Sequence, residues 1–154
     1  MVNFDLLNEE ISPFDERDIQ VEGLLNPDLQ LPKKIDYRKE LPSAWNQGID
    51  GPCSAYAAAA MKQWQELKDY GLKKTLSKHF IYNLRSNKPQ RGMYARNTMQ
   101  ILQKYGLPYD KSFRKKWKDI EDIPSEVFKE ALNHTIVGYA KVNTMDGLKK
   151  SLYK

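Results

Sequence analysis

The chain has 154 residues, of which 40% are hydrophobic and 29% are charged, so its length and composition predict one folded domain and exclude a disordered tail or a fibrous repeat. No apolar run approaches the roughly 20 residues that span a bilayer, and the acidic start lacks the basic stretch of a secretory signal, so we expect neither membrane contact nor a signal peptide. The single cysteine excludes an internal disulfide and a cysteine-clustered zinc site. We therefore expect no metal or other cofactor, and a location in the cytoplasm or within an assembly such as a virion.

The charge is divided unevenly along the chain. Residues 1–30 carry eight acidic groups and one basic group, whereas residues 31–154 carry 24 basic and 12 acidic groups. We expect this acidic arm to lie against the basic body, with the groove beside Cys53 and Gly92 as one place for it; the alternative is a solvated, mobile terminus. The apolar side chains expected to hold the arm are Phe4, Leu6, Leu7 and Phe14.

Helical patterns dominate the middle of the chain. Apolar residues recur at helical spacing in four segments, and each segment has a residue typical of a helix boundary. The predicted starts are near Cys53, Ser77, Ala95 and Pro124, and the predicted stops are Gly71 and Gly106.

The pattern changes at the carboxyl end. Residues 135–143 are rich in β-formers and predict a strand, followed by a short helix with Asn143 or Thr144 as its N-cap. Residues 35–37 are a weaker strand candidate. Because a lone strand needs a partner, we expect residues 135–143 to pair with the N-terminal region or with another chain.

A cysteine stands at a chemically suggestive position. Cys53 follows a glycine-rich turn and opens an alanine-rich helix, where unpaired backbone N–H groups and the helix dipole favour an anionic thiolate. A thiolate that attacks a carbonyl needs a donor for the resulting oxyanion, and the side-chain amide of Gln47 is six residues upstream. The alternative interpretation is that Cys53 is a small core residue, as cysteines beside such helices often are. The glutamine, the glycines and the helix start together favour a nucleophile.

These residues resemble the start of the mature domain of papain-like cysteine peptidases. The matching segments, in order and spacing, are Leu31–Pro32, Ile35–Arg38, Asn46–Gly48 and Gly51–Ala57. Later segments that resemble the family are Leu76–Tyr82, Arg91–Met93, Gln103–Tyr109 and Ala140–Lys150. The resemblance covers about residues 31–154.

The resemblance implies a fold, a reaction and roles for five residues. It implies an α+β papain-like fold, with an acidic arm at 1–30, a helical domain at 31–133 and the start of an incomplete β-rich domain at 134–154. It implies hydrolysis of a peptide or protein substrate. The roles are nucleophile for Cys53, oxyanion donor for Gln47, and contacts to the substrate for Gly51, Gly92 and Met93.

Two departures from the family pattern change what is expected. Asp50 stands where papain and cathepsins have a second cysteine, and Ser54 replaces the aromatic residue after the nucleophile, which resembles the disulfide-free branch of bacteria and viruses. The family's histidine and asparagine lie about 130–150 residues beyond the cysteine, which is past the last residue here. His79 and His134 do not fit that spacing, so we expect a second chain or segment to supply the histidine and this chain alone to be inactive.

Two other functions stay open. One is a non-catalytic, peptidase-derived subunit kept for structure or binding in a virion or another assembly. The other is a basic nucleic-acid-binding module, because Lys111–Lys118 mixes cations with aromatic rings. The match around Gln47 and Cys53 makes nucleic acid the least favoured partner.

Overall fold

The computed structural model describes residues 9–48, 51–114 and 119–153. The chain forms two compact units. The larger unit combines residues 1–12 and 41–137, and the smaller unit combines residues 13–40 and 138–154. The three-part division expected from the sequence remains a prediction.

A long central helix organises the larger unit. Helix α1 (Cys53–Tyr70) packs against α2 (Lys78–Asn83), α3 (Ala95–Lys104) and strand β2 (Met93–Tyr94). Its buried face carries three alanines, Ala55, Ala58 and Ala59, each at most 2% exposed, so the neighbouring backbones can approach closely. The large core side chains around it are Leu76, Phe80, Ile81, Tyr82, Met93, Ile101, Leu102 and Leu107.

The predicted helix boundaries are confirmed. α1 ends at Gly71, which has a left-handed φ of 67° and donates its N–H to the carbonyl of Leu67. Ser77 is the N-cap of α2, because its hydroxyl accepts the N–H of Phe80 at 3.2 Å. Helix α4 (Ser125–Ala131) begins directly after Pro124.

Strand is scarce among the described residues. Strand β1 (Glu9–Glu10) pairs in parallel with β2, with Glu9 opposite Met93. The described chain thus contains five helices, counting α5 (Met145–Tyr153), three short 3₁₀ turns and this two-stranded pair. The turns are Val21–Gly23, Ile120–Asp122 and Leu132–His134.

The predicted strand at residues 135–143 is wrong, as is the weaker candidate at 35–37. The backbone of the first segment is divided between different partners: Ile136 donates its N–H to the carbonyl of Leu102, whereas Lys141 forms a single parallel bridge with Gln20. No continuous ladder can form from such separate bonds, and the side chain of Val137 is fully exposed. The expected pairing with the N-terminal region is confirmed only at Lys141.

Glu22 holds the start of α5 in the smaller unit. Its Oε1 accepts the backbone N–H groups of Asn143 and Thr144, both at 2.9 Å. These bonds lower the pKa of Glu22, and the bond from Asn143 has the largest effect. The stabilisation they give the folded protein is therefore present above the pKa that Glu22 has in the unfolded chain. It is lost as the pH falls through the lowered pKa of the folded state. The hydroxyl of Thr144 accepts the N–H of Gly147, which confirms Thr144 as the N-cap.

A buried charged group links α1 to the turn after α4. Lys62 Nζ lies 2.7 Å from Glu66 Oε1, and Glu66 Oε2 lies 3.2 Å from His134 Nδ1. All three side chains are buried. Removing one charge from such a group destabilises the fold, because the opposite charge then stays buried, in a medium of low dielectric, without its partner.

We predict that Glu66→Leu lowers the free energy of unfolding by about 3–5 kcal/mol, because the Lys62 ammonium is left buried and unpaired. The double variant Lys62→Met/Glu66→Leu should recover most of that loss, since neither charge remains. Chemical denaturation of the two variants measures the difference. A double variant as unstable as Glu66→Leu would contradict the role given to the ion pair.

Gly106 provides a second test of packing. It has a φ of 70°, and a Cβ added there would lie 2.0 Å from the backbone oxygen of Ala131. We predict that Gly106→Ala destabilises the protein by more than about 3 kcal/mol. Gly71→Ala is the matched control: its φ is 67° but nothing lies within 4 Å, so only the left-handed backbone is penalised, by about 1–2 kcal/mol. Equal losses in thermal unfolding would show that the approach to Ala131 is not rigid.

Candidate active site

The predicted nucleophile lies at the amino end of the central helix. Cys53 is the first residue of α1, its thiol is free, and its side chain is half-buried. Gly51 and Pro52 before it are buried, and Gly51 has a φ of 79°, which a side chain would strain. The first N–H groups of α1 have no partner within the helix, so an anion that forms at Cys53 meets the positive end of the helix dipole.

The loop that carries Gln47 is fixed to the same end of α1. The Trp45 ring packs edge-on against the Tyr56 ring, with centroids 6.2 Å apart, and Tyr56 is one turn beyond Cys53. The Asn46 side chain accepts the N–H of Gly48 at 2.9 Å and shapes the turn. Gln47 is half-buried between these two anchors, and residues 49–50 lie outside the described residues. Trp45 was not predicted as part of the site, although an aromatic residue two positions before Gln47 is visible in the sequence.

The residues predicted to contact substrate lie at and beside β2. Gly92 is buried, and its carbonyl accepts the side-chain N–H of Asn87 at 2.9 Å. The Met93 side chain is fully buried, so only its backbone is available to a ligand. Ser54 Oγ donates to the Met93 carbonyl at 3.5 Å, which joins the residue after the nucleophile to β2. The sequence analysis noted Ser54 only as a departure from the family pattern and missed this contact.

Part of the acidic arm contacts the same strand. β1 runs along β2, and the Ser12 hydroxyl accepts the N–H of Arg96 in the first turn of α3 at 3.1 Å. The expected contact between arm and body is therefore confirmed for residues 9–12.

The apolar side chains expected to hold the arm against the body are not confirmed in that role. Phe14 is 83% exposed, so its predicted role as an anchor is wrong. Phe4, Leu6 and Leu7 lie outside the described residues. In the described part of the arm, backbone pairing and the Ser12 hydrogen bond replace the predicted apolar contacts.

The two histidines pack against other side chains. His134 lies against Glu66, thirteen residues after Cys53 along α1, which corresponds to roughly 20 Å along the helix axis. The His79 ring packs edge-on against Tyr56 with centroids 5.9 Å apart. The His134 ring also lies 5.1 Å from the Tyr109 ring, between centroids.

Two further features are absent from the described residues. They contain no group of three or more His, Cys, Asp or Glu side chains that could hold a metal ion. None of their helices combines the length and apolar character that crossing a membrane requires.

Comparison with solved structures identifies the fold. Xylellain, a cysteine protease from Xylella fastidiosa, matches 94% of this chain and 62% of its own with a TM-score of 0.73 and 23% identity. The chain has the papain-like cysteine protease fold. A structure described for the mite allergens Blo t 1 and Der p 1 matches 96% of this chain and 48% of its own, with a TM-score of 0.63 and 16% identity. Procathepsin B S9 from Trypanosoma congolense matches 97% and 55%, with a TM-score of 0.58 and 14% identity.

The structural matches show the fold class. The α+β papain-like fold expected from the sequence is confirmed, with helices prevailing among the described residues. The chain spans less than two thirds of the length of each of these three structures. No protein-family model and no curated protein matches the sequence.

We predict that Ser12→Ala loosens the arm, because the N–H of Arg96 loses its acceptor at the start of α3, at a cost of about 1 kcal/mol. Amide hydrogen exchange at residues 93–96 should become faster. Ser125→Ala is the control, since that hydroxyl bonds only to the neighbouring side chain of Glu126. Unchanged exchange at residues 93–96 in Ser12→Ala would mean that β1 is held without the hydroxyl.

Proposed function

We propose that this chain is the nucleophile-bearing part of a papain-like cysteine peptidase and that a histidine outside these 154 residues completes its active site. The observation that carries the proposal is the position of Cys53, half-buried at the amino end of α1 and tied through Ser54 to β2, within a papain-like fold. The five sequence-predicted site residues all belong to the larger unit, four of them at this end of α1 or at β2.

The proposed chemistry is acyl transfer through a thioester. The Cys53 thiolate attacks the carbonyl carbon of the scissile peptide bond, and the negative charge moves to the carbonyl oxygen. The backbone N–H of Cys53 and the side-chain amide of Gln47 are the donors proposed for that oxyanion. Collapse of the intermediate breaks the C–N bond, and water then hydrolyses the thioester and regenerates the thiol.

A proton donor is required for the leaving amine. An imidazole beside the cysteine would take the thiol proton first and return it to the amine nitrogen. His134 is committed to Glu66 and lies roughly 20 Å along α1 from the cysteine, and His79 packs on Tyr56. The proposal therefore assigns the base to a further segment or a second chain.

The acidic arm is proposed to compete with substrate. An extended peptide that binds at Gly92 and Met93 would use backbone groups at the edge of β2, and β1 already pairs with Met93 and Tyr94. The arm must leave this edge before a substrate strand can replace it.

The test compares alkylation with peptide cleavage. For the 154-residue chain alone, we predict that iodoacetamide labels Cys53 and that no fluorogenic peptide is cleaved, because the amine leaving group is not protonated. With the histidine-bearing segment supplied, cleavage should appear and should vanish in Cys53→Ala. Gln47→Ala should then lower kcat/KM by roughly 10²–10³-fold, the usual loss for one oxyanion donor. Gln100→Ala, an exposed glutamine on α3, is the matched control and should leave the rate unchanged.

Two outcomes would contradict the proposal. Cleavage by the chain alone that disappears in His79→Ala or His134→Ala would identify an internal base. A Cys53 that resists iodoacetamide in the folded protein but reacts after denaturation would favour the non-catalytic subunit.

A further inference from the structure

An open cavity of about 290 Å³ lies between two backbone segments of the larger unit. The two segments are joined by main-chain hydrogen bonds: Asp110 donates to the Thr75 carbonyl at 2.8 Å, and Ser77 donates to the Pro108 carbonyl at 2.9 Å. The walls are therefore held in a fixed register. The residues that line the cavity are Lys74, Thr75, Tyr109, Asp110, Lys111 and Arg114.

The lining is positively charged although it contains a carboxylate. Asp110 Oδ2 lies 2.9 Å from Arg114 Nε, and Asp110 Oδ1 lies 3.2 Å from the ammonium of Lys78 behind the wall. A single negative charge is thus shared by two cations. A second carboxylate belongs to Glu130, which accepts the backbone N–H of the lining residue Tyr109 at 3.1 Å.

Two lysines of the lining have only an aromatic ring to offset their charge. The ammonium groups of Lys74 and Lys111 lie 4.6 Å and 5.9 Å from the centroid of the Tyr109 ring. Neither forms an ion pair with any carboxylate in the described part of the chain. A cation over a ring is stabilised less than a cation that donates to an anion. Both ammonium groups would therefore be stabilised further by a bound anion.

We propose that this cavity binds a phosphate group. Two lysine ammonium groups and the Arg114 guanidinium would supply charged donors, and the Thr75 hydroxyl a neutral one, around a tetrahedral dianion. The volume is just below the range of ligand pockets, roughly 300–1,000 Å³, which suits a phosphate with a small substituent. Lys111 and Arg114 also begin the basic run noted in the sequence, whose residues 115–118 lie outside the described residues.

The phosphate can come from inorganic phosphate or from a phosphorylated small molecule, and the test includes an oligonucleotide because a nucleic-acid backbone is the competing ligand. Isothermal titration of the full chain uses inorganic phosphate, phosphoserine and a short oligothymidylate as probes at low ionic strength. We expect saturable binding of phosphate or phosphoserine at one site. The double variant Lys74→Ala/Lys111→Ala should weaken it by about tenfold or more, because charge-assisted hydrogen bonds are lost.

Matched variants show whether the cavity or the overall charge is responsible. Lys104→Ala/Lys129→Ala removes the same charge from exposed positions outside the cavity, including a lysine 4.9 Å from the Tyr105 ring, and should leave affinity nearly unchanged. Lys74→Arg/Lys111→Arg keeps the charge and should retain binding, and circular dichroism confirms that each variant is folded. Equal losses in the two alanine pairs would overturn the proposal, as would the absence of saturable binding by phosphate and phosphoserine. Binding of oligothymidylate alone would also overturn it, in favour of an extended nucleic-acid surface.

Discussion

The alanine face of α1 is the constraint on which the larger unit depends. Ala55, Ala58 and Ala59 are almost completely buried against α2, α3 and β2, and any larger side chain there would have to displace a neighbouring backbone. Close approach brings the start of α1 beside β2, where Ser54 reaches the Met93 carbonyl. The proposed nucleophile is therefore positioned by a rigid helix end, which holds a side chain more accurately than a loop does.

Two positions on α1 have different electrostatic surroundings. At its amino end the unpaired N–H groups of the first turn favour an anion at Cys53. Thirteen residues later, Glu66 lies between Lys62 and His134 in the core. A histidine placed there is too far along α1 to take a proton from the thiol. This separation is the physical reason why His134 is not proposed as the base of the reaction.

Local signals predicted the helices well, and failed where pairing depends on distant residues. Ser77 and Gly71 carry their boundary roles in their own side chain or backbone, so the sequence alone predicted them. Residues 135–143 have strand-forming side chains, but their backbone partners are Leu102 and Ile19, which no local pattern reveals. Likewise Cys53 and Gln47 could be predicted from spacing, whereas the contacts of Trp45, Ser54 and Ser12 follow from tertiary packing.

The position of the basic cavity follows from how its wall is attached to α1. Leu76, which follows the lining residue Thr75, donates its N–H to the side-chain oxygen of Gln63 at 3.3 Å. Gln63 is ten residues after Cys53, which corresponds to roughly 15 Å along the helix axis. Tyr109 connects the two environments, because Lys74 lies over its ring while the buried ring of His134 lies 5.1 Å away. A phosphate that draws Lys74 from this ring would therefore change the surroundings of the Glu66–His134 pair. The lining residue Asp110 is also connected to the amino end of α1, because its partner Lys78 lies over the rings of Trp45 and Tyr56. Occupancy of the cavity should therefore be detected both in the core at His134 and one turn after Cys53 at Tyr56.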